Sequence, residues 1–86
     1  MLKADGFDKA FLGVAQRFGM EDVIAYDKDE CIAILCRRDG MTYEEALEFF
    51  NYNVIGSWVG EKTPIFIKRY GNMKEFEDYF IHDISG

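Results

Sequence analysis

Asp22-Val23-Ile24-Ala25-Tyr26-Asp27-Lys28-Asp29-Glu30-Cys31 contains the change of pattern on which the fold turns. Its first half, Asp22 to Asp27, is a short β-branched and aromatic run bounded by acids, which is the composition of a buried strand. Asp27 followed three residues later by Glu30 then has the spacing of a capping box with Asp as the cap, so a helix is expected to start there. The body of that helix, Cys31-Ile32-Ala33-Ile34-Leu35-Cys36, is apolar all round. It is therefore expected to lie deep in its own chain or against a neighbouring one. A strand is the rival reading of these six residues. Arg37 and Arg38 just before Gly40 favour the helix, because bases suit the last turn and glycine suits the left-handed stop.

Working outward, Thr42-Tyr43-Glu44-Glu45 is a second capping box, with Met41 and Ala46 placed as a hydrophobic staple. Tyr43, Leu47, Phe50, Val54 and Trp58 form one stripe, predicting a helix through about Trp58. Gly56 inside that span either permits close packing or ends the helix early. Pro64 opens Ile65-Phe66-Ile67-Lys68-Arg69-Tyr70, which has the composition of a second strand. Asn72 with Glu75 repeats the capping spacing ahead of Met73, Phe76, Phe80 and Ile84, predicting a closing helix. At the other end Phe7, Phe11, Val14, Ala15 and Phe18 recur at helical spacing, with Asp5 as a cap and Gly19 as a stop. The expected class is α+β in the order α-β-α-α-β-α, with a two-stranded sheet covered by helices.

The chain has 86 residues, which fits a single domain spanning 1–86. Apolar residues make up 49% and aromatics 16%, too much for a disordered segment. The formal charge is −6, from 16 acids against 10 bases, so direct binding to a nucleic-acid backbone or an anionic membrane is disfavoured. No apolar run approaches the roughly 20 residues of a spanning helix. Met1-Leu2-Lys3-Ala4-Asp5 lacks the pattern of a secretory signal, and a cytoplasmic location is the default expectation.

Site chemistry finds little support. Cys31 and Cys36, five apart on a helix, point about 140° from each other, which argues against a disulfide and for two small buried hydrophobes. His82, the single histidine, is a helix neighbour of Asp83 and cannot pair with it, and neither Ser57 nor Ser85 stands in a Gly-x-Ser-x-Gly frame. Arg37 and Arg38 beside Cys36 would favour a thiolate, but no histidine accompanies it. Glu44, Glu45 and Glu48 could face a divalent metal. They are also what the positive end of a helix dipole favours on a solvated face. No glycine-rich phosphate loop is present. No cofactor, metal or catalytic residue is expected.

The stretch Phe49 to Glu61 differs, because it mixes Asn51, Tyr52, Asn53 and Trp58 with glycines. Such residues supply rigid area and adaptable hydrogen bonds, as binding hot spots do. Trp58 shares the core stripe with Phe50 and Val54, so it has both an interior and a contact reading. Asn51, Tyr52 and Asn53 are freer to serve.

Ile24-Ala25-Tyr26-Asp27, Asp39-Gly40-Met41-Thr42-Tyr43-Glu44-Glu45-Ala46 and Gly60-Glu61-Lys62-Thr63-Pro64-Ile65-Phe66 together resemble a family of small phage- and prophage-encoded proteins, most without an assigned activity. The resemblance implies a phage origin and the cytoplasm of an infected bacterium, and it implies no reaction. The expected function is non-catalytic binding to another protein, or to a second copy as a homodimer, through Asn51, Tyr52, Asn53, Trp58, Glu44 and Glu48. Such a protein would suit inhibition of a host or defence factor. The alternative is a small-ligand binder or minor enzyme, with a pocket between the sheet and the third helix.

Overall fold

The computed structural model describes the backbone of residues 1–56 and 60–85 and the side chains of residues 1–56 and 60–80. Trp58 therefore lies outside the described residues, as do the side chains of His82, Asp83 and Ile84. A 3-10 turn at Asp8–Ala10 leads into strand β1, Phe11–Ala15, and then β2, Val23–Asp27. Helix α1 is Lys28–Asp39, and α2, Tyr43–Phe49, runs on as a π-helical stretch, Phe50–Ile55. Strand β3, Ile65–Ile67, and helix α3, Met73–Ser85, complete the chain. The class is α+β, as the pattern indicates, but the sheet has three strands in the order β1-β2-β3.

The N-terminal helix is the first correction. Of its expected stripe only Phe7 is buried, Phe11 and Val14 are exposed, and Phe18 is fully exposed. Gly13 in the middle would weaken a helix by about 1 kcal/mol. The alternative available to Phe-Leu-Gly-Val-Ala is a ladder with β2, and that long-range partner overrides the local spacing. β1 pairs antiparallel with β2, Phe11 opposite Tyr26 and Ala15 opposite Val23, with a bulge between Phe11 and Gly13. Gly19 has a positive φ of 77°, but it sits in the loop between two strands and stops no helix.

The two expected strands do pair, and they run parallel, with Ala25 opposite Ile65 and Tyr26 opposite Phe66. β3 stops at Ile67. Beyond it Lys68 reaches Asp29 at 2.8 Å and Arg69 reaches Asp27 at 3.3 Å, so the chain is drawn off the sheet toward the start of α1.

α1 begins where Asp27 Oδ1 accepts the Glu30 N–H at 3.0 Å, and it ends on Gly40 at φ 67°. Cys31, Ile32, Ile34 and Leu35 are all buried, so its all-round apolar character is used within this chain. α2 starts on the full capping box: Glu45 N–H donates to Thr42 Oγ1 at 3.2 Å, and Thr42 N–H donates to Glu45 Oε1 at 3.0 Å. The helix expected through Trp58 instead widens at Phe50 and ends at Ile55, with the Gly56 N–H donating to the Asn51 carbonyl at 3.2 Å. A β-carbon at Gly56 would meet the Tyr52 carbonyl oxygen at 2.7 Å, closer than any side chain tolerates, so glycine permits this wider ending.

One hydrophobic cluster forms between the sheet and the helices α1 and α2. At its centre the Tyr26 ring stacks on Phe66 at 5.7 Å, and Phe66 meets Phe50 edge-on at 5.0 Å. The buried Tyr26 hydroxyl accepts the Ala4 N–H at 2.9 Å, tying the N-terminus to the central strand. Phe50 is fully buried at the centre of the cluster, and its truncation removes a whole ring from that packing. Phe50→Ala is expected to cost about 3–5 kcal/mol in urea unfolding, against about 1 kcal/mol for the cap variant Thr42→Ala. A Phe50→Ala loss no larger than that of Thr42→Ala would contradict this packing.

Candidate functional site

The capping box fixes the rotation of α2, and that rotation divides its residues between two sides. Ala46, Phe50 and Val54 turn inward and are buried. Met41, Glu45, Glu48, Phe49, Tyr52 and Asn53 recur at intervals of three or four on the other side, where they line a shallow hollow of about 400 Å³. π-helical widening often marks a functional stretch because it re-aims side chains that a regular helix would place elsewhere. Here it carries Tyr52 out on a ledge with 75% of its surface exposed.

Of the residues picked out from sequence, Glu48, Tyr52 and Asn53 come together around this hollow. Glu44 and Asn51 are exposed on the same elements but do not line it. Trp58 lies outside the described residues. Phe49, the first residue of the stretch that stands out as a contact surface, also lines the hollow, and Met41 and Glu45 join it from outside that stretch. In the sequence Met41 and Glu45 are accounted for by the staple and the cap, which gives no sign of the face they share with Phe49.

The ledge is electrostatically one-sided. Glu45 is held below the usual carboxylate range by the hydrogen bonds from the Thr42 backbone and hydroxyl, so it is a fixed negative charge. The ion pairs of the described residues engage Asp8, Asp27, Asp29, Glu30, Asp39 and Asp78, and leave Glu44, Glu45 and Glu48 without a cation. Among the described residues no group of three or more His, Cys, Asp or Glu is arranged to hold a metal ion. No helix among them is long and apolar enough to cross a membrane.

The space between the sheet and α2, where a ligand pocket was the alternative expectation, is filled by the rings of Tyr26, Phe66 and Phe50. Arg37 and Arg38, the cations beside Cys36, are directed at carboxylates, Arg37 at Glu30 (2.9 Å) and Arg38 at Asp39 (3.0 Å). Both cysteines are free. The Cys31 thiol is pushed up to about 12, first by burial and then by the nearby Asp27 and Glu30 carboxylates.

The chain matches no protein-family model, no curated protein and no solved structure.

The Cys31 environment has a measurable consequence. The ordinary thiol value is 9.0 and the folded value about 12, so the folded state holds this proton more tightly than the unfolded one. Stability is therefore unaffected by Cys31 below pH 9 and falls as pH rises from 9 toward 12. A Cys31→Ala variant should lose that alkaline decline in its melting curve, and Cys31 should resist alkylation at pH 8 until the chain is unfolded. Rapid native alkylation of Cys31 would contradict its burial.

Proposed function

We propose that this protein acts without catalysis, by docking the ledge of α2 and its π-helical continuation onto a basic surface of another protein. The observation that carries this reading is the pairing of an exposed aromatic anchor, Tyr52, with the carboxylates of Glu45 and Glu48 around one hollow. Tyr52 supplies a large, rigid contact with a polar tip, and Asn53 beside it adds a donor and an acceptor. Phe49 and Met41 provide the apolar floor, while the uncompensated acids steer a positively charged partner and reject an anionic one. The formal charge of −6 acts in the same direction over longer range. The resemblance to small phage-encoded proteins fits a role as an inhibitor that occupies a basic, nucleic-acid-binding groove of a host or defence factor.

Affinity capture from bacterial lysate tests the reading when run in parallel with wild type, Tyr52→Ala and Glu48→Lys. The wild type is expected to retain a basic protein at low salt and release it at high salt. Each variant should weaken that retention by at least about 30-fold while keeping its circular dichroism and melting temperature, because neither side chain is part of the core. Equal retention by all three proteins would overturn the ledge as the contact surface.

A further inference from the structure

The sheet separates two unlike environments. Tyr26, Phe66 and Ile24 face the helices, whereas Gly13, Ala15, Val23, Ala25, Ile65 and Ile67 share the opposite face by register. Ala25 is buried although it stands apart from the main cluster, Gly13, Ala15 and Val23 are half-buried, and Ile65 and Ile67 are exposed. Small residues along β1 and β2, with two isoleucines along β3, make a shallow apolar trough. Toward one end it deepens into a hollow of about 460 Å³ lined by Ala15, Val23, Pro64 and Ile65 together with the charged Arg17, Glu21 and Glu61. At that end the Thr63 hydroxyl oxygen is buried and has no hydrogen-bond partner among the described residues, which a buried hydroxyl ordinarily finds.

The same chain carries a helix whose apolar side is uncovered among the described residues. Every described residue of α3 is exposed, including the apolar stripe Met73, Phe76 and Phe80. Its described ring contacts are with Tyr70 and within the helix itself. The Lys68–Asp29 and Arg69–Asp27 ion pairs tie the segment after β3 to the start of α1, and Asn72 caps α3 by accepting the Glu75 N–H at 2.8 Å. At 13 residues α3 is about 20 Å long, close to the roughly 17 Å of a five-residue strand.

The surface area shows how much is left uncovered. The chain exposes 6443 Å², against about 5,200 Å² for a compact 10.0 kDa protein, an excess of about 1,200 Å². Its radius of gyration is 14.4 Å, where about 12 Å is usual for this length. A standard interface removes about 800 Å² from each partner, so the excess is more than enough to supply one such interface.

We propose that two copies form an isologous homodimer in which α3 of each chain lies in the open sheet trough of the other. Both complementary surfaces stand on one chain, which is what a two-fold interface requires. The trough lies on the far side of the sheet from α1 and α2, so the Tyr52 ledge stays free in the dimer. The two associations also respond to salt in opposite senses. Two chains of charge −6 repel, and added salt screens that repulsion and tightens the dimer, whereas it loosens an acidic ledge from a basic partner.

Sedimentation of the full chain across a concentration series, at low and high salt, tests this with Phe80→Glu and Ile65→Lys. The wild type should sediment as a dimer that tightens with salt. Each variant should weaken dimerisation by at least about 30-fold with unchanged far-ultraviolet circular dichroism. Mixing the two variants should restore a heterodimer, since one retains an intact trough and the other an intact helix. A wild-type monomer at all concentrations would overturn the proposal, including the case in which α3 folds onto its own sheet. A dimer that survives Ile65→Lys would overturn it in favour of helix pairing between copies, and a mixture that stays monomeric would also count against it.

Discussion

The contact between Tyr26 and Phe66 holds the architecture together. Tyr26 stands on the central strand, and its ring stacks on Phe66 of β3, which in turn receives the edge of Phe50 from the π-helical stretch. Its hydroxyl accepts the Ala4 N–H, closing the N-terminal segment over the same cluster. One residue thus joins the sheet, the helical layer and the chain terminus. In a chain of 86 residues little other apolar area is available to do this. Because the aromatic cluster consumes the helix-facing side of the sheet, the remaining contact groups are displaced to two outer surfaces, the α2 ledge and the open trough with its unpacked α3.

Much of this was legible in the sequence wherever a local rule and the tertiary fold agree. The Asp27 and Thr42 caps, the Gly40 stop and the Asn72 cap all stand where side-chain spacing puts them, because each depends on atoms within four residues. Strands at Val23–Asp27 and Ile65–Ile67 followed from β-branched and aromatic composition. Phe11–Ala15 was misread because its three- and four-residue spacing is compatible with a helix, and only a distant partner, β2, decides the question. No short window of sequence contains that information. The widening after Phe49 has the same character: Phe50 and Val54 keep a helical interval, and the difference between the two hydrogen-bonding patterns lies in backbone geometry around Gly56.

The candidate site was half legible for a related reason. Tyr52, Asn53 and Glu48 stood out by residue type, and the structure brings them to one hollow. Met41 and Glu45 are explained locally by the staple and the cap, and local spacing carries no information about the face they share with Phe49. The stripe of α3 predicts a closing helix among those covering the sheet, but periodicity reports only that a helix has an apolar side and says nothing of which chain covers it. A parallel pair with its crossover helices on one side of the sheet leaves the other side in need of cover, and α3 is the described helix left without a place.

Hydrogen exchange followed residue by residue, at low and high protein concentration, tests most directly the claim that the Tyr26 cluster organises one layer and leaves α3 and the trough to a second copy. Amides of β2 and α1 should be slow at both concentrations, those of residues 73–80 fast when dilute and slow when concentrated, and those around Tyr52 unchanged. Equal protection of residues 73–80 at every concentration would contradict the account, because α3 would then be docked within its own chain.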